Sequence, residues 1–387
     1  MAKVKLMNKI ASVGVDILKN AGYEVGEDVA NAEGIMVRSA SLHEVEFDKE
    51  LLGIARAGAG VNNIPVDACA EKGIVVFNTP GANANAVKEL TIAALLLSSR
   101  KINAGIEWAK TLKGEPDAAK LVEKGKSKFE GPEILGKKLG VIGLGAIGVM
   151  VANAAKNLGM DVYGYDPYIS VNAAWGLSRG VHKADTLKEI YENSDYITIH
   201  VPYMPATKDY INADALAQMK DGVRIINCSR GEVVNNAAIG AALESGKVAC
   251  YVTDFANVES LELPNTICMP HLGATTPESE TNCAIMAAKE LDNYIKNGII
   301  KNSVNFPDFE DARDCDVRVC IIHKNIPNML ATLSGAFSKN NINIEHMTSK
   351  SKKDFAYTVL DINGDAPADI IAAIGEVDGV IRVRVIK

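Results

Sequence analysis

Aromatic residues are scarce in this 387-residue chain, at 5% with only two tryptophans, and no strongly apolar run is longer than Ile92–Leu97. That run is far short of the roughly 20 apolar residues a membrane-spanning helix needs. The N-terminus also lacks the apolar stretch and small-residue cleavage site of a signal peptide. A cytoplasmic protein with no membrane partner is expected. Positive charge is in deficit, with 41 Lys and Arg against 48 Asp and Glu, a net charge of −7 and a pI near 5.5. Nucleic acid, like an anionic membrane, requires clustered positive surface, so it is not an expected partner either. C-x-x-C pairs are missing among the seven cysteines Cys69, Cys228, Cys250, Cys268, Cys283, Cys315 and Cys320. No metal site is expected, and the cysteines read as reduced, mostly buried small hydrophobes.

What remains, 48% hydrophobic and 23% charged residues, is the composition of a globular protein of two or three domains. From Lys3 to Phe77 short apolar runs (Gly34–Val37, Ile54–Ala55, Ile74–Phe77) alternate with helical patterns at Val13–Ala21 and Pro65–Glu71, which reads as a parallel α/β unit. One long helix is expected over about Asn85–Lys110, then a charged loop or arm over Lys113–Glu133. A second βα series begins at Lys137, with strands expected at Leu139–Ile142, Val162–Tyr165, Tyr196–Ile199, Val223–Asn227 and Ala249–Val252. A helical run over Glu278–Asn297 has the length to cross back to the first unit. The remainder follows the βαββαβ order of a ferredoxin-like module, from Asp316–His323 to Ile381–Ile386. The expected fold class is therefore α/β, with two Rossmann-like parallel-sheet domains and a ferredoxin-like tail. The domains divide as 1–84 with 278–308 for substrate, 85–277 for a dinucleotide, and 313–387.

The sequence Gly143-Leu-Gly145-Ala146-Ile147-Gly148 follows a strand and opens a helix. In that context its glycines have separate tasks: a tight turn at Gly143, close approach of a pyrophosphate at Gly145, and helix–strand packing at Gly148. The helix N-terminus supplies N–H groups and partial positive charge. Asp166 closes the next strand, where a carboxylate can accept from ribose hydroxyls and repel a 2′-phosphate, so NAD is favoured over NADP. Just past later strands stand Arg230, Glu259 and His271. An arginine can grip a substrate carboxylate by two hydrogen bonds, and a histidine oriented by a carboxylate can move the proton on a substrate hydroxyl. That set suits hydride transfer between a nicotinamide and a small 2-hydroxy acid.

Taken together, Val37-Arg-Ser39, Arg56-Ala-Gly-Ala-Gly-Val-Asn-Asn63, Asn78-Thr-Pro80, the glycine fingerprint, His200-Val-Pro202, Asn227-Cys-Ser-Arg-Gly231 and Pro270-His-Leu-Gly-Ala-Thr275 resemble the D-isomer-specific 2-hydroxyacid dehydrogenase family over essentially the whole chain. The resemblance implies Arg230, Glu259 and His271 as catalytic residues. It implies Asp254 as holder of the nicotinamide carboxamide, with Thr79, Ala146, Ile147, His200, Val201, Pro202, Cys228 and Gly273 lining the cofactor. In the branch that oxidises D-3-phosphoglycerate on the way to L-serine, two arginines and a serine hold the phosphate. This implies Arg38, Ser39, Arg56 and Asn62 as the binding residues for a phosphorylated 2-hydroxy acid. The tail resembles an ACT domain, an amino-acid-binding regulatory fold. In bacterial members with such a tail L-serine lies between two modules, which implies His323, Asn325 and Asn343 as effector residues. A homodimer through the 85–133 region, or a tetramer through the tails as well, is also implied.

The departures from the family pattern are specific. No proline follows Glu259, and Glu262 is an alternative for its role. Asn62 and Asn235 stand where acids are usual, Lys88 where a small residue is usual, at a helix start expected to face the cleft, and Asn328 where glycine usually follows the proline. A glyoxylate or erythronate-phosphate type of dehydrogenase, and an NAD-sensing corepressor resembling the C-terminal binding proteins, are the competing readings.

Overall fold

The computed structural model describes residues 1–313 and 315–387. The chain divides into two compact units, one made of 1–83 with 277–387 and the other of 84–276.

In the first unit the strands β1 (Lys3–Leu6), β2 (Glu24–Gly26), β3 (Gly34–Val37), β4 (Gly53–Arg56) and β5 (Val75–Phe77) form a parallel sheet of order β2-β1-β3-β4-β5. This is the flavodoxin-like order, whose ligands bind beyond the carboxyl ends of the strands. Helix Pro277–Asn297 does cross back to this sheet. Its Ala284, Ala287, Ala288 and Leu291 share a core with Val4, Met36, Ala55 and Phe77.

The second unit contains β6 (Lys138–Ile142), β7 (Asp161–Tyr165), β8 (Val181–Lys183), β9 (Tyr196–Ile199), β10 (Val223–Asn227), β11 (Val248–Thr253) and β12 (Thr266–Cys268). Their order is β12-β11-β10-β9-β6-β7-β8, all parallel, the doubly wound Rossmann arrangement with a seventh strand added. The order reverses between β6 and β9, which leaves a crevice beyond their carboxyl ends. The stretch expected to be one helix is two, Ala84–Arg100 and Ile102–Thr111, broken at Lys101 with a left-handed φ of 45°. The expected loop that follows contains a helix at Ala118–Gly125. Lys88 lines a small pocket with Ala154, Asn157 and Leu158, at the C-terminal end of the fingerprint helix and not at its phosphate end.

The tail forms an antiparallel sheet from β13 (Val317–Lys324), β14 (Ile344–Lys352), β15 (Phe355–Ile362) and β16 (Val380–Ile386), in the ferredoxin-like order β14-β15-β13-β16. One face packs its two helices through Val319, Ile321, Leu360, Leu333 and Phe337. The other face, with Cys320, Ile322, Tyr357 and Val359, joins the core of the first unit, so β13 is buried on both sides. Three arginines fasten this contact. Arg318 is fully buried, pairs bidentately with Asp361 at 2.7 and 2.7 Å, and donates to the Asn297 carbonyl at 3.0 Å. Arg382 donates to the carbonyls of Leu51 and Lys72, and Arg384 to that of Ile295 at 2.7 Å. The tail, expected as a separate domain over 313–387, is thus packed into the first unit.

Candidate active site

The fingerprint turn sits at the sheet's reversal. Gly143 has φ +91°, and a Cβ there would lie 2.7 Å from the His200 carbonyl oxygen that follows β9. A Cβ on Gly148 would meet the Gly143 carbonyl oxygen at 1.9 Å, whereas one on Gly145 would meet nothing within 4 Å. The turn is therefore closed on the sheet side and open above Gly145. The first-turn amides of helix Ala146–Asn157 stand beside that opening, which is the shape a pyrophosphate requires. Asp166 braces the turn, with Oδ2 accepting from the Leu144 N–H and Oδ1 from the Tyr168 N–H, both at 2.8 Å. Carboxylate oxygens can accept further bonds, so ribose hydroxyls remain within its capacity.

Around the turn, Val201 packs against Gly143 and Pro202 is exposed. Burial pulls the His200 imidazole down to about 4 and keeps it neutral, with Nε2 against the Thr198 hydroxyl at 3.0 Å and a buried Nδ1 left unpartnered. Burial likewise pushes the Cys228 thiol up to about 12. These residues fit a dinucleotide: a glycine-sided opening, a helix N-terminus beside it and a carboxylate at the end of the next strand.

The adjacent strands β10, β11 and β12 each end in one part of a second cluster. After β10, the buried Asn227 shapes the turn by donating to the Arg230 carbonyl at 2.8 Å and accepting from the Ser229 N–H. After β12 comes His271, which has φ +55°, a strained conformation of the kind found at functional sites. Phe255, after β11, lies between them. Its ring centroid is 4.7 Å from that of His271, and the Arg230 guanidinium carbon lies 6.0 Å from it. Glu259 and His271 line one cavity of about 950 Å³, together with Asn235, Asn236, Asn257 and Phe255. Glu259 Oε2 accepts from the Asn236 amide at 2.6 Å. Asn257 and Ser260 cap the short helix that carries it. Glu262 is exposed and does not line that cavity. Asn235 has a local role that an acid would also fill: it caps helix Asn236–Glu244 by accepting from the Ala238 N–H, and its amide reaches Asp209.

Asp254, expected to hold the nicotinamide carboxamide, also has a structural task. It is 1% exposed, and its two oxygens already accept the N–H groups of Leu272 and Gly273, each at 2.8 Å. It therefore fixes the loop on which His271 stands.

In the first unit, register pairs Val37 with Arg56, so Arg56 ends β4 next to the strand end that Arg38 follows. Arg56 Nε donates to the Arg38 carbonyl at 3.0 Å, and Arg38 Nη2 lies 2.8 Å from Glu280 Oε1. Ser39 and Asn62 are exposed nearby in sequence, and the Asn62 carbonyl bonds the His43 ring at 3.0 Å. Thr79 is buried and its hydroxyl has no partner.

Residues 92–273 match the NAD binding domain of the D-isomer specific 2-hydroxyacid dehydrogenases. A D-3-phosphoglycerate dehydrogenase of Haemophilus influenzae is 31% identical over 96% of this chain and 91% of its own length. The chain belongs to the D-isomer-specific 2-hydroxyacid dehydrogenase family. A D-3-phosphoglycerate dehydrogenase of Methanocaldococcus jannaschii is 34% identical over 81% of the chain, and the match spans only 61% of that longer relative. The solved structure of an NAD+-bound 3-phosphoglycerate dehydrogenase from Entamoeba histolytica superposes with a TM-score of 0.61 at 26% identity, over 79% of this chain and 98% of that one.

Outside this family core, the tail does not gather the three expected effector residues in one chain. His323 is 3% exposed, and both ring nitrogens are engaged at 2.8 Å, Nδ1 with the Lys324 carbonyl and Nε2 with the Thr358 hydroxyl. Burial lowers its pKa. Asn325 reaches the Lys353 carbonyl at the same end of the sheet. Asn343 precedes Ile344, which pairs with Ile362, whereas His323 pairs with Ala356. Asn343 and His323 therefore stand at opposite ends of the sheet, and within one chain His323 is a satisfied core histidine. Asn328 has φ +67°, which explains why glycine suits its position. Sequence reasoning overlooked Phe255, Asn236 and Glu280. A phenylalanine next to Asp254 in an aromatic-poor chain was a usable signal for the first, but the partners of the other two are 23 and more than 200 residues away.

Proposed function

We propose that this chain oxidises the 2-hydroxyl of D-3-phosphoglycerate with NAD, giving 3-phosphohydroxypyruvate, the first step toward L-serine. The observation that carries this reading is a histidine and an arginine on one aromatic ring, Phe255, in a family member with two arginines at the neighbouring ends of β3 and β4. When bound, NAD accepts the hydride from the substrate's C2. His271 takes the hydroxyl proton as general base. Glu259 uses Oε2 on Asn236 and has Oε1 left to orient the imidazole and favour its charged form. Arg230 grips the carboxylate, while Arg38 and Arg56, with Ser39 and Asn62, hold the phosphate. Gly145 and the amides of Ala146 and Ile147 receive the pyrophosphate, and Asp166 the ribose.

The test is a panel of 2-hydroxy acids followed by NADH absorbance, with His271→Ala as control. D-3-phosphoglycerate should be the preferred substrate. The variant should lose on the order of 10²–10⁴-fold in kcat while still binding NADH.

Three further readings belong with this one. A homodimer is supported by half-exposed Ile102 and Ile106 and by Leu121 and Val122 on the 102–125 helices, apolar side chains left part-exposed in one chain. Light scattering should give at least twice 41.3 kDa. The seven cysteines are unpaired, which suits a reducing cytoplasm. The tail would take an amino-acid effector, L-serine, only between two copies, with Asn325 of one chain near Asn343 of the other. Stabilisation by L-serine but not D-serine in thermal melts of the full chain would support it, and no shift would end it.

A further inference from the structure

The phosphate subsite proposed above already contains an anion. Glu280 lies in the first turn of helix Pro277–Asn297, where the helix dipole favours a carboxylate, and its Oε1 is 2.8 Å from Nη2 of Arg38. The backbone of Arg38 is held without Glu280. Its N–H donates to Asn8 Oδ1 at 2.9 Å, and its carbonyl accepts from Arg56 Nε at 3.0 Å. Only the guanidinium is steered by the glutamate. Both side chains are partly open to solvent, at 39% and 42% exposure, so the pair is weak and exchangeable.

We infer that Glu280 is an internal competitor for the phosphate position. Its carboxylate neutralises Arg38 until a phosphate displaces it, and it thereby weakens the binding of phosphorylated substrate and product alike. The inference rests on the reading that Arg38 holds the substrate phosphate. The physical argument is an exchange. A phosphate brings up to two charges and three acceptor oxygens, enough to meet both Arg38 and Arg56, but it gains only the difference between its own contacts and those of the displaced carboxylate. The displaced glutamate stays nearby and repels the incoming dianion. A 2-hydroxy acid with no second anion leaves the Arg38–Glu280 pair intact and does not meet this cost. Glu280 is thus a specificity residue that sets how strongly a phosphorylated ligand is preferred and how easily it leaves.

The experiment compares the full-length wild type with Glu280→Gln and Arg38→Ala. It measures KM and kcat for D-3-phosphoglycerate and for D-glycerate with NAD, and the dissociation constant of inorganic phosphate by calorimetry. Glu280→Gln should lower KM for D-3-phosphoglycerate and Kd for phosphate by roughly two- to fivefold, about the worth of one exposed charge contact. Its KM for D-glycerate should not move, and Arg38→Ala should lose phosphate binding. If Glu280 instead only orients Arg38, Glu280→Gln raises both the KM for the phosphorylated substrate and the Kd for phosphate, and the inference is overturned. Unchanged phosphate affinity overturns it too. Failure of the functional reading is a separate result: no variant oxidises D-3-phosphoglycerate, yet calorimetry still shows tighter phosphate binding in Glu280→Gln, which upholds the competitor role.

Discussion

Asp254 holds Gly273 by a 2.8 Å hydrogen bond from the glycine N–H to Oδ2, and the same carboxylate takes the neighbouring Leu272 N–H at 2.8 Å through Oδ1. Two residues earlier than Gly273 stands His271 in a left-handed conformation, its ring tilted at 49° against that of Phe255. A buried acceptor beneath a strained turn fixes the side chain on that turn in one orientation.

Asp254→Asn should therefore act through position. It sets an amide N–H₂ against a backbone donor, and a misplacement of about 1 Å at the base is worth on the order of 10²-fold in rate. We expect kcat to fall by about that factor with NADH affinity, read by fluorescence, little changed. A parallel loss of NADH affinity would show that contact with the carboxamide is the main task of this residue.

Cofactor choice is expected to lie in Asp166. Asp166→Asn retains an acceptor for the Leu144 or Tyr168 N–H while removing the charge that repels a 2′-phosphate. The ratio of kcat/KM for NADP to that for NAD should rise by roughly tenfold or more. An unchanged ratio would place selectivity elsewhere.

Stability should depend on pH through Glu290. This side chain is 6% exposed, with Oε1 accepting from the Asn302 amide at 2.6 Å and Oε2 buried without a partner. Burial pushes its carboxyl from 4.5 up to about 8. Because the folded-state value is raised, the folded protein keeps a proton that the unfolded chain releases. The resulting stability is full below about pH 4.5 and lost as pH rises through about 8. Glu290→Gln removes this dependence. Its stability relative to wild type should increase from pH 5 to pH 8.5 by a few kcal/mol, at about 1.36 kcal/mol per pKa unit as an upper bound. Parallel melting curves for the two proteins across that range would refute it.

Removal of the tail should cost stability along with any regulation. A chain ending at Pro307 would uncover the face that Ile322, Tyr357 and Val359 bury and would leave the Leu51, Lys72 and Ile295 carbonyls without their arginine donors. Such a chain should melt well below the full-length protein or aggregate. Arg382→Ala alone should lower the melting temperature by a few degrees, since losing a part-buried hydrogen bond from a charged donor costs about 1–2 kcal/mol. An unaltered melt of the truncated chain would show that the tail is an independent body.

The sequence alone determined the fold class, most central strands and the glycine turn. Tyr196–Ile199, Val223–Asn227 and Phe355–Ile362 stand where their apolar residues put them, because a strand buried on both faces is mostly apolar and satisfies its few polar groups internally. The edge strands Glu24–Gly26, Val181–Lys183 and Thr266–Cys268 were not legible. They are short and largely exposed or half-buried, so nothing but pairing with a neighbour makes them strands. The helix break at Lys101 was equally hidden, since no glycine or proline marks it.

At the candidate site, local sequence named Arg230, Glu259, His271, Arg38 and Arg56, because each follows a recognisable strand end. Tertiary structure decided what each one touches. Asp254 anchors loop residues 18 and 19 positions later, Arg38 meets a glutamate on a helix contributed by the far part of the chain, and His323 has both nitrogens satisfied inside the tail. Strand pattern fixes where a side chain leaves the sheet, whereas its partners are set by which distant segments the crossovers bring beside it, and no local window of sequence contains that information.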